Sequence, residues 1–542
     1  MAAVANAAQK QSISISTLLR MARPEIPLTD RAFLGIWPHR CTIARDLAEL
    51  PILIDRIFRP GPLFPLLCRM GGVALQRTLW AVLVLATAGS ASARTRTSPR
   101  SLDGLWLTDG YREFVEFRGD DMRSYEITAL SCIPVVKATR TIEMAAVSEI
   151  VFVGEYDTLR ISPGPSPETR WLHADGSASK ILLRRTDSRP KPCGGQPIAD
   201  TPLTNYQVFW ETFAENYPFF ALRKVDWLAV DKRFRPQVTP KTTAEELFLT
   251  LSHMIEPLYD AHTAIRAYSI RRGFRGYRPV VDPMQRKSAA RITEIIDTNY
   301  LRGGLRYYCN RQLQFGLLSY GPTPKPRQPD PIGYLRIHSF SRYSDDREFA
   351  KQLDALETAL DDIFRDSAKF TGLVIDVRIN GGGSDVFGVS IASRLAAHDY
   401  LAYSKVTRND IRDPKHRTTP QAIIVHASSR PGFRGPVVLL TSSDTVSAAE
   451  TFTMAVLGRQ PHVIRVGANT QGVFSDVLNR TLPNGWSFGL PTEIYLTKDG
   501  KAFDGLGVPP DIAVPIFTAE DIANGRDSAI DKALELLAPK VK

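Results

Sequence analysis

The chain has 542 residues, 43% hydrophobic and 23% charged, ordinary proportions for a globular protein but too long for one core, so roughly two to four domains are expected. Sixty-eight Lys and Arg against 57 Asp and Glu give a net charge of +11. The basic residues neither run together nor alternate with aromatics, which argues against nucleic acid as a partner and leaves general surface basicity, suited to an anionic envelope.

Residues 70–93 carry Arg77, an apolar run from Thr78 to Ala88 and the small residues Ala91-Ser92-Ala93, the pattern of a secretory signal peptide. The apolar run is too short to cross a bilayer comfortably, so no stable membrane span is expected. Met70 stands immediately ahead of it. Residues 1–69 therefore read as an upstream extension, and the mature chain is expected to begin near Arg94 after cleavage at Ala93, exported to the periplasm or the exterior. In an exported chain Cys132 and Cys193 are a candidate pair, with Cys309 left over. Cys41 and Cys68 fall in the extension. No Cys-x-x-Cys or His-x-x-x-His spacing suggests a metal site, and no cofactor is expected.

Short alternating segments separated by turn residues predict a small antiparallel β-domain over 100–195, closed by the Pro- and Gly-rich linker 189–197. From 200 to 265 the spacing becomes helical, with Tyr206, Phe209, Trp210 and Phe213 on one face. This segment ends in the loop Asp260-Ala261-His262-Thr263. Residues 266–330, rich in Arg, Gly and Pro, read as an irregular connector, too short for a peptide-binding PDZ module. From 331 to 515 strands alternate with helices, the pattern of an α/β core, and 516–542 read as a C-terminal helix.

Two loops of this core follow apolar strands, where open α/β sheets place their sites. The strand 372–378 breaks into Asn380-Gly381-Gly382-Gly383, and the strand 437–441 leads to Thr445-Val446-Ser447-Ala448-Ala449-Glu450. A serine at a strand-to-helix junction exposes its hydroxyl beside free helix N–H groups, which suits a nucleophile. The same residues also spell a capping box, Ser447 to Glu450, which is a purely structural reading.

Together with Asp260-Ala261-His262-Thr263 and Asp504-Gly505-Leu506-Gly507-Val508-Pro509-Pro510-Asp511, these motifs resemble, in order and content, the tail-specific (C-terminal-processing) serine peptidase family over residues 200–515. The branch most similar is that of the tricorn core protease and interphotoreceptor retinoid-binding protein. The resemblance implies a crotonase-like core of strand–helix repeats and peptide or unfolded-protein substrates. It also implies Ser447 as nucleophile and an oxyanion hole from Gly381 or Gly382 and Ala448. Where the lysine branch carries its base after a Thr-x-Gly turn, this chain has Thr470-Gln471-Gly472-Val473. The resemblance then makes His262 the base and Asp504 the supporting acid. Two departures stand out: Ala261 replaces a serine, and Asp504 replaces a glutamate. Asp260 is an alternative orienting acid and His338 a rival base. The alternative functions are a catalytically inactive peptide- or ligand-binding protein on this fold, and an envelope scaffold.

Overall fold

Eight strands, from Gly104–Thr108 to Ile181–Thr186, close into an antiparallel barrel in which the first pairs with the last, Leu105 opposite Thr186. Closure leaves no free sheet edge, and Trp106, Phe117, Phe152, Leu172 and Leu183 fill the interior. Cys132 and Cys193 form a disulfide that ties the barrel to the segment leading out of it. The structure, a computed structural model, describes residues 101–141, 149–155, 157–281, 283–319 and 331–538. The signal-like pattern at 70–93, the extension 1–69, Cys41 and Cys68 lie outside the described residues.

The helical segment follows as expected. Helix α1 (Pro202–Asn216) starts at Thr201, whose side chain accepts the Thr204 N–H, and α2 (Ala244–Ile255) starts at Thr243 with Glu246 completing a capping box. Their apolar faces bury Phe209, Phe213, Leu251 and Met254 against Ile265, Phe488 and Leu490 of a small antiparallel sheet.

Residues 266–330 are not an irregular connector. They carry the hairpin partner Arg272–Arg275, the helix Pro283–Asn299 and two strands, β1 (Leu301–Tyr308) and β2 (Leu313–Leu318). The outer strand β1 is largely exposed, with Arg302 and Arg306 outward and Gly303 and Gly304 at positive φ. An edge strand of this kind has no apolar run to announce it.

These two strands begin the central sheet. It continues with β3 (Ile332–Ile337), β4 (Gly372–Asp376), β5 (Val437–Thr441), β6 (Val463–Gly467) and β7 (Ile512–Ala513), neighbours in chain order, with β3 to β7 mutually parallel. Strands β3, β4 and β5 are buried along their whole length, as parallel strands covered on both faces require. Helices α3 (Phe349–Phe364), α4 (Asp385–Leu395) and α5 (Ala448–Ala455) pack Leu360, Ile391 and Phe452 on one face. The helix Pro283–Asn299 and α6 (Ser528–Leu537) cover the other with Ile292, Ile296, Ile530 and Leu534. The expected C-terminal helix is thus two pieces, Ala519–Ala523 and α6.

Candidate active site

Four parallel strands, β3 to β6, deliver their C-terminal ends to one side of the sheet, and the loops there are bonded to one another. Thr445 Oγ1 donates to the Val377 carbonyl at 2.9 Å, Ser442 Oγ to the Arg378 carbonyl, and the Val446 N–H to the Asn380 carbonyl at 3.2 Å. The chain then turns into α5 through Ser447 at φ 60°, ψ −125°. A non-glycine residue there is strained, and such strain persists only where the surroundings enforce it. The capping-box arrangement is present, with the Ser447 N–H reaching Glu450 Oε2 at 3.3 Å, while the Glu450 N–H bonds the Ser447 carbonyl at 2.7 Å. Ser447 itself stays partly exposed.

Glu450 does more than cap. Its buried carboxylate also accepts the Gly472 and Val473 N–H groups at 2.6 and 2.7 Å and the Thr470 hydroxyl at 2.5 Å. Burial pushes this carboxyl up to about 7 against the pull of those bonds. It clamps the Ser447 turn to loop 470–476, whose Val473 carbonyl accepts the Ser447 N–H at 3.1 Å.

The Gly-rich loop presses on the same turn. A Cβ on Gly382, at φ +91°, would lie 2.6 Å from Ser447 Cβ and 3.2 Å from the Ala448 nitrogen, so only glycine fits. The Gly382 N–H is committed to Asn380 Oδ1 at 2.8 Å. Of the two glycines considered as oxyanion donors, Gly382 thus has its N–H committed and serves as the turn former.

His262 is buried, and its backbone N–H donates to Asp260 Oδ1 at 3.1 Å. Asp260 is further held by the Tyr217 hydroxyl at 2.9 Å and Arg223 at 3.3 Å. Burial lowers the imidazole pKa, opposed by Asp260, Asp476 and the backbone of Ser475. The neutral base form is thereby favoured near pH 7. Loop 470–476 thus touches both groups, Ser447 through Val473 and His262 through Ser475. No direct hydrogen bond joins the Ser447 hydroxyl to the imidazole; such bonds often tighten only with substrate bound.

Asp504 lies elsewhere in this neighbourhood. Burial and the facing Glu450 and Asp260 carboxylates hold its carboxyl well above the usual range, with Arg223 opposing, and its Oδ2 is buried without a partner. Its neutral form is thereby favoured, beside the Glu450 carboxyl. His338, the rival base, sits at the end of β3 among Arg336, Asp376 and Asp297. Two residues on, Phe340 N–H binds the Gly382 carbonyl at 2.9 Å, so this segment supports the Gly-rich loop.

The sequence did not reveal Asp476 and Lys405. Lys405 is buried and pairs with Asp476 at 2.5 Å and Glu493 at 3.1 Å. Only the rarity of a buried lysine hints at it, and burial is not visible in a sequence.

Residues 331–514 match peptidase family S41, and residues 199–256 match the tricorn protease C1 domain. The chain carries a tail-specific peptidase domain of family S41. Residues 331–514 are thus similar to a serine-type peptidase domain. A carboxy-terminal-processing protease of Bartonella bacilliformis is 25% identical over 205 residues, which cover 35% of this chain and 40% of that protein. The chain thus matches well under two thirds of that curated relative's length. Among solved structures, a putative peptidase from Parabacteroides merdae is 27% identical with a TM-score of 0.49, covering 63% of this chain and 98% of that one. The tricorn protease is 15% identical with a TM-score of 0.37, covering 78% and 45%. The match of the C1 domain falls on the helical segment that bears α1 and α2, ahead of the S41 domain that bears Ser447.

Proposed function

We propose that this S41 protein is an exported serine peptidase of the tail-specific type, hydrolysing peptides or protein C-terminal tails through an acyl-enzyme. The observation that carries the reading is the strained Ser447 at the start of α5, wedged against Gly382 and tied through loop 470–476 to the segment facing His262. Ser447 Oγ attacks the scissile carbonyl carbon while its proton passes to His262. The Gly381 and Ala448 N–H groups hold the oxyanion that forms. His262 returns the proton to the leaving amine as the C–N bond breaks, and water then repeats the sequence on the ester.

The helical segment and the 331–515 core form the peptidase unit, and the run of parallel strands with covering helices suits a crotonase-like arrangement. The Cys132–Cys193 disulfide fits an oxidising compartment and hence export; among the described residues no helix is long and apolar enough to cross a membrane. Ser447→Ala tests the reading. Hydrolysis of an unfolded protein or peptide should vanish in that variant, and turnover at the wild-type rate would refute the assignment.

A further inference from the structure

The barrel is fastened to two loops of the S41 site. Tyr111, in the turn between its first two strands, donates its hydroxyl to Glu493 Oε1 at 2.7 Å, and the Glu493 N–H donates to Ser475 Oγ at 3.0 Å in loop 470–476. A second turn, 175–180, joins the last two barrel strands, Thr169–Ala174 and Ile181–Thr186. Within the barrel this turn is fixed, since Arg160 grips both Asp175 carboxylate oxygens at 2.6 and 3.0 Å and His173 Nε2 lies 2.9 Å from the Ser177 carbonyl. On the core side Lys180 exchanges two hydrogen bonds with the Gln421 amide, its N–H reaching Oε1 at 3.0 Å and its carbonyl accepting from Nε2. Gly176 packs so closely that a Cβ on it, at φ +88°, would lie 2.8 Å from Phe349 Cδ2 at the start of α3.

This second turn also holds the residue that follows the Gly-rich loop. Ser384 Oγ donates to the Gly176 carbonyl at 2.9 Å and accepts the Val386 N–H at 3.3 Å, as N-cap of α4. The Ser384 N–H bonds the Phe340 carbonyl at 2.8 Å, while the Phe340 N–H bonds the Gly382 carbonyl at 2.9 Å. Gly383 between them leaves no slack, because a Cβ there would lie 2.0 Å from the Phe340 oxygen. The β4 end of the loop is held by the core, with Asn380 Nδ2 donating to the Ile337 carbonyl at 2.9 Å. Its α4 end is shared between the core, through Phe340, and the barrel, through Gly176. Gly381 borders open space, with nothing within 4 Å of a Cβ placed on it, so its position depends on how the two ends of the loop are held. We propose that the barrel is a working part of the site: the Gly176 carbonyl, through the Ser384 hydroxyl, positions the Gly-rich loop so that the Gly381 N–H meets the oxyanion. Donors of this kind act only when they are fixed before the charge develops.

The kinetic part of this inference rests on the serine-peptidase reading; the exchange part does not. Asp and Asn have the same shape and cap helices about equally well, but at neutral pH only Asn carries a donor for the Gly176 carbonyl. In Ser384→Asp, kcat should fall about 10-fold or more with KM little changed, since a misplacement of about 1 Å costs about 100-fold. Ser384→Asn should stay within about threefold of the wild type. Gly176→Ala, in the barrel and 208 residues from Ser384 in sequence, should lower kcat in the same way as Ser384→Asp, while Arg118→Ala, on the exposed face of the barrel, leaves kcat as it is. A kcat in Ser384→Asp no lower than in Ser384→Asn overturns the proposal, as does wild-type kcat in Gly176→Ala. Amide hydrogen exchange of the full-length protein, read by mass spectrometry on a peptide covering 377–387, should be faster than wild type in Ser384→Asp and Gly176→Ala and unchanged in Ser384→Asn. Exchange at the wild-type rate in the first two overturns the proposal whether or not the protein hydrolyses peptides. Absence of hydrolysis in the wild type would instead count against the peptidase reading, leaving the exchange to decide.

Discussion

At residue scale the decisive feature is the backbone of Ser447. At φ 60°, ψ −125°, glycine would sit without strain, whereas serine costs on the order of 1 kcal/mol or more. Ser447→Gly is therefore expected to raise thermal stability by about 1 kcal/mol while abolishing hydrolysis, and Ser447→Ala to lose hydrolysis without that gain. Thermal unfolding of both variants checks this; a Ser447→Gly variant less stable than the Ser447→Ala variant would contradict it. Ser447 was legible as a candidate because a small-residue turn follows an apolar strand and spells a capping box. Its strain was not legible, because Gly382 and the Asn380 and Val473 carbonyls impose it from distant parts of the chain. His262 was likewise legible as a base-type residue in a loop. The buried pairing of Lys405 with Asp476 in loop 470–476 was hidden, since the two lie 71 residues apart in sequence.

Among the elements, the site depends on two loops at the ends of adjacent parallel strands held in contact. Gly382 is where that contact is tightest. Gly382→Ala places a methyl 2.6 Å from Ser447 Cβ and 2.9 Å from the Val446 carbonyl, in a backbone conformation at φ +91° that alanine resists. The loop must move and take the proposed oxyanion donors with it. The expected result is a fall in kcat of about 100-fold or more, the size of losing one oxyanion donor, with the fold retained by circular dichroism; a variant with full kcat would contradict the geometry. Strands β3, β4 and β5 were legible because parallel strands buried on both faces are continuous apolar runs. Strand β1 was not, since its Arg- and Gly-rich sequence faces solvent at the sheet edge.

At the scale of the whole molecule, several buried acids couple stability to pH. Burial raises Glu126 to about 7, opposed by Arg480 and the Thr481 N–H, and raises Glu450 to about 7 as well. The folded chain holds protons on them that the unfolded chain releases above about 4.5. Their contribution is complete below that pH and is lost as pH rises through about 7. His262, lowered by burial, works in the opposite sense, but only below the ordinary histidine pKa near 6.5. The midpoint of thermal unfolding should therefore fall as pH rises from about 5 to about 7 and level off above that. Glu126→Gln, in the barrel and away from Ser447, should make that decline shallower; an identical pH dependence would contradict the protonated assignment. The order of domains along the chain was legible from changes in periodicity, from barrel to helical segment to α/β core. That the barrel closes, and that its Tyr111 enters the catalytic neighbourhood, was not, because both depend on pairings between residues far apart in sequence, such as Tyr111 with Glu493.

The central claim is that Ser447 is an activated nucleophile served by His262. Labelling with a fluorophosphonate, followed by peptide mass mapping, tests it most directly, because only an activated serine reacts. The expected result is a single adduct on Ser447, with labelling slowed about 100-fold in His262→Gln. An adduct on another residue, no adduct at all, or an unchanged rate in His262→Gln would contradict the account.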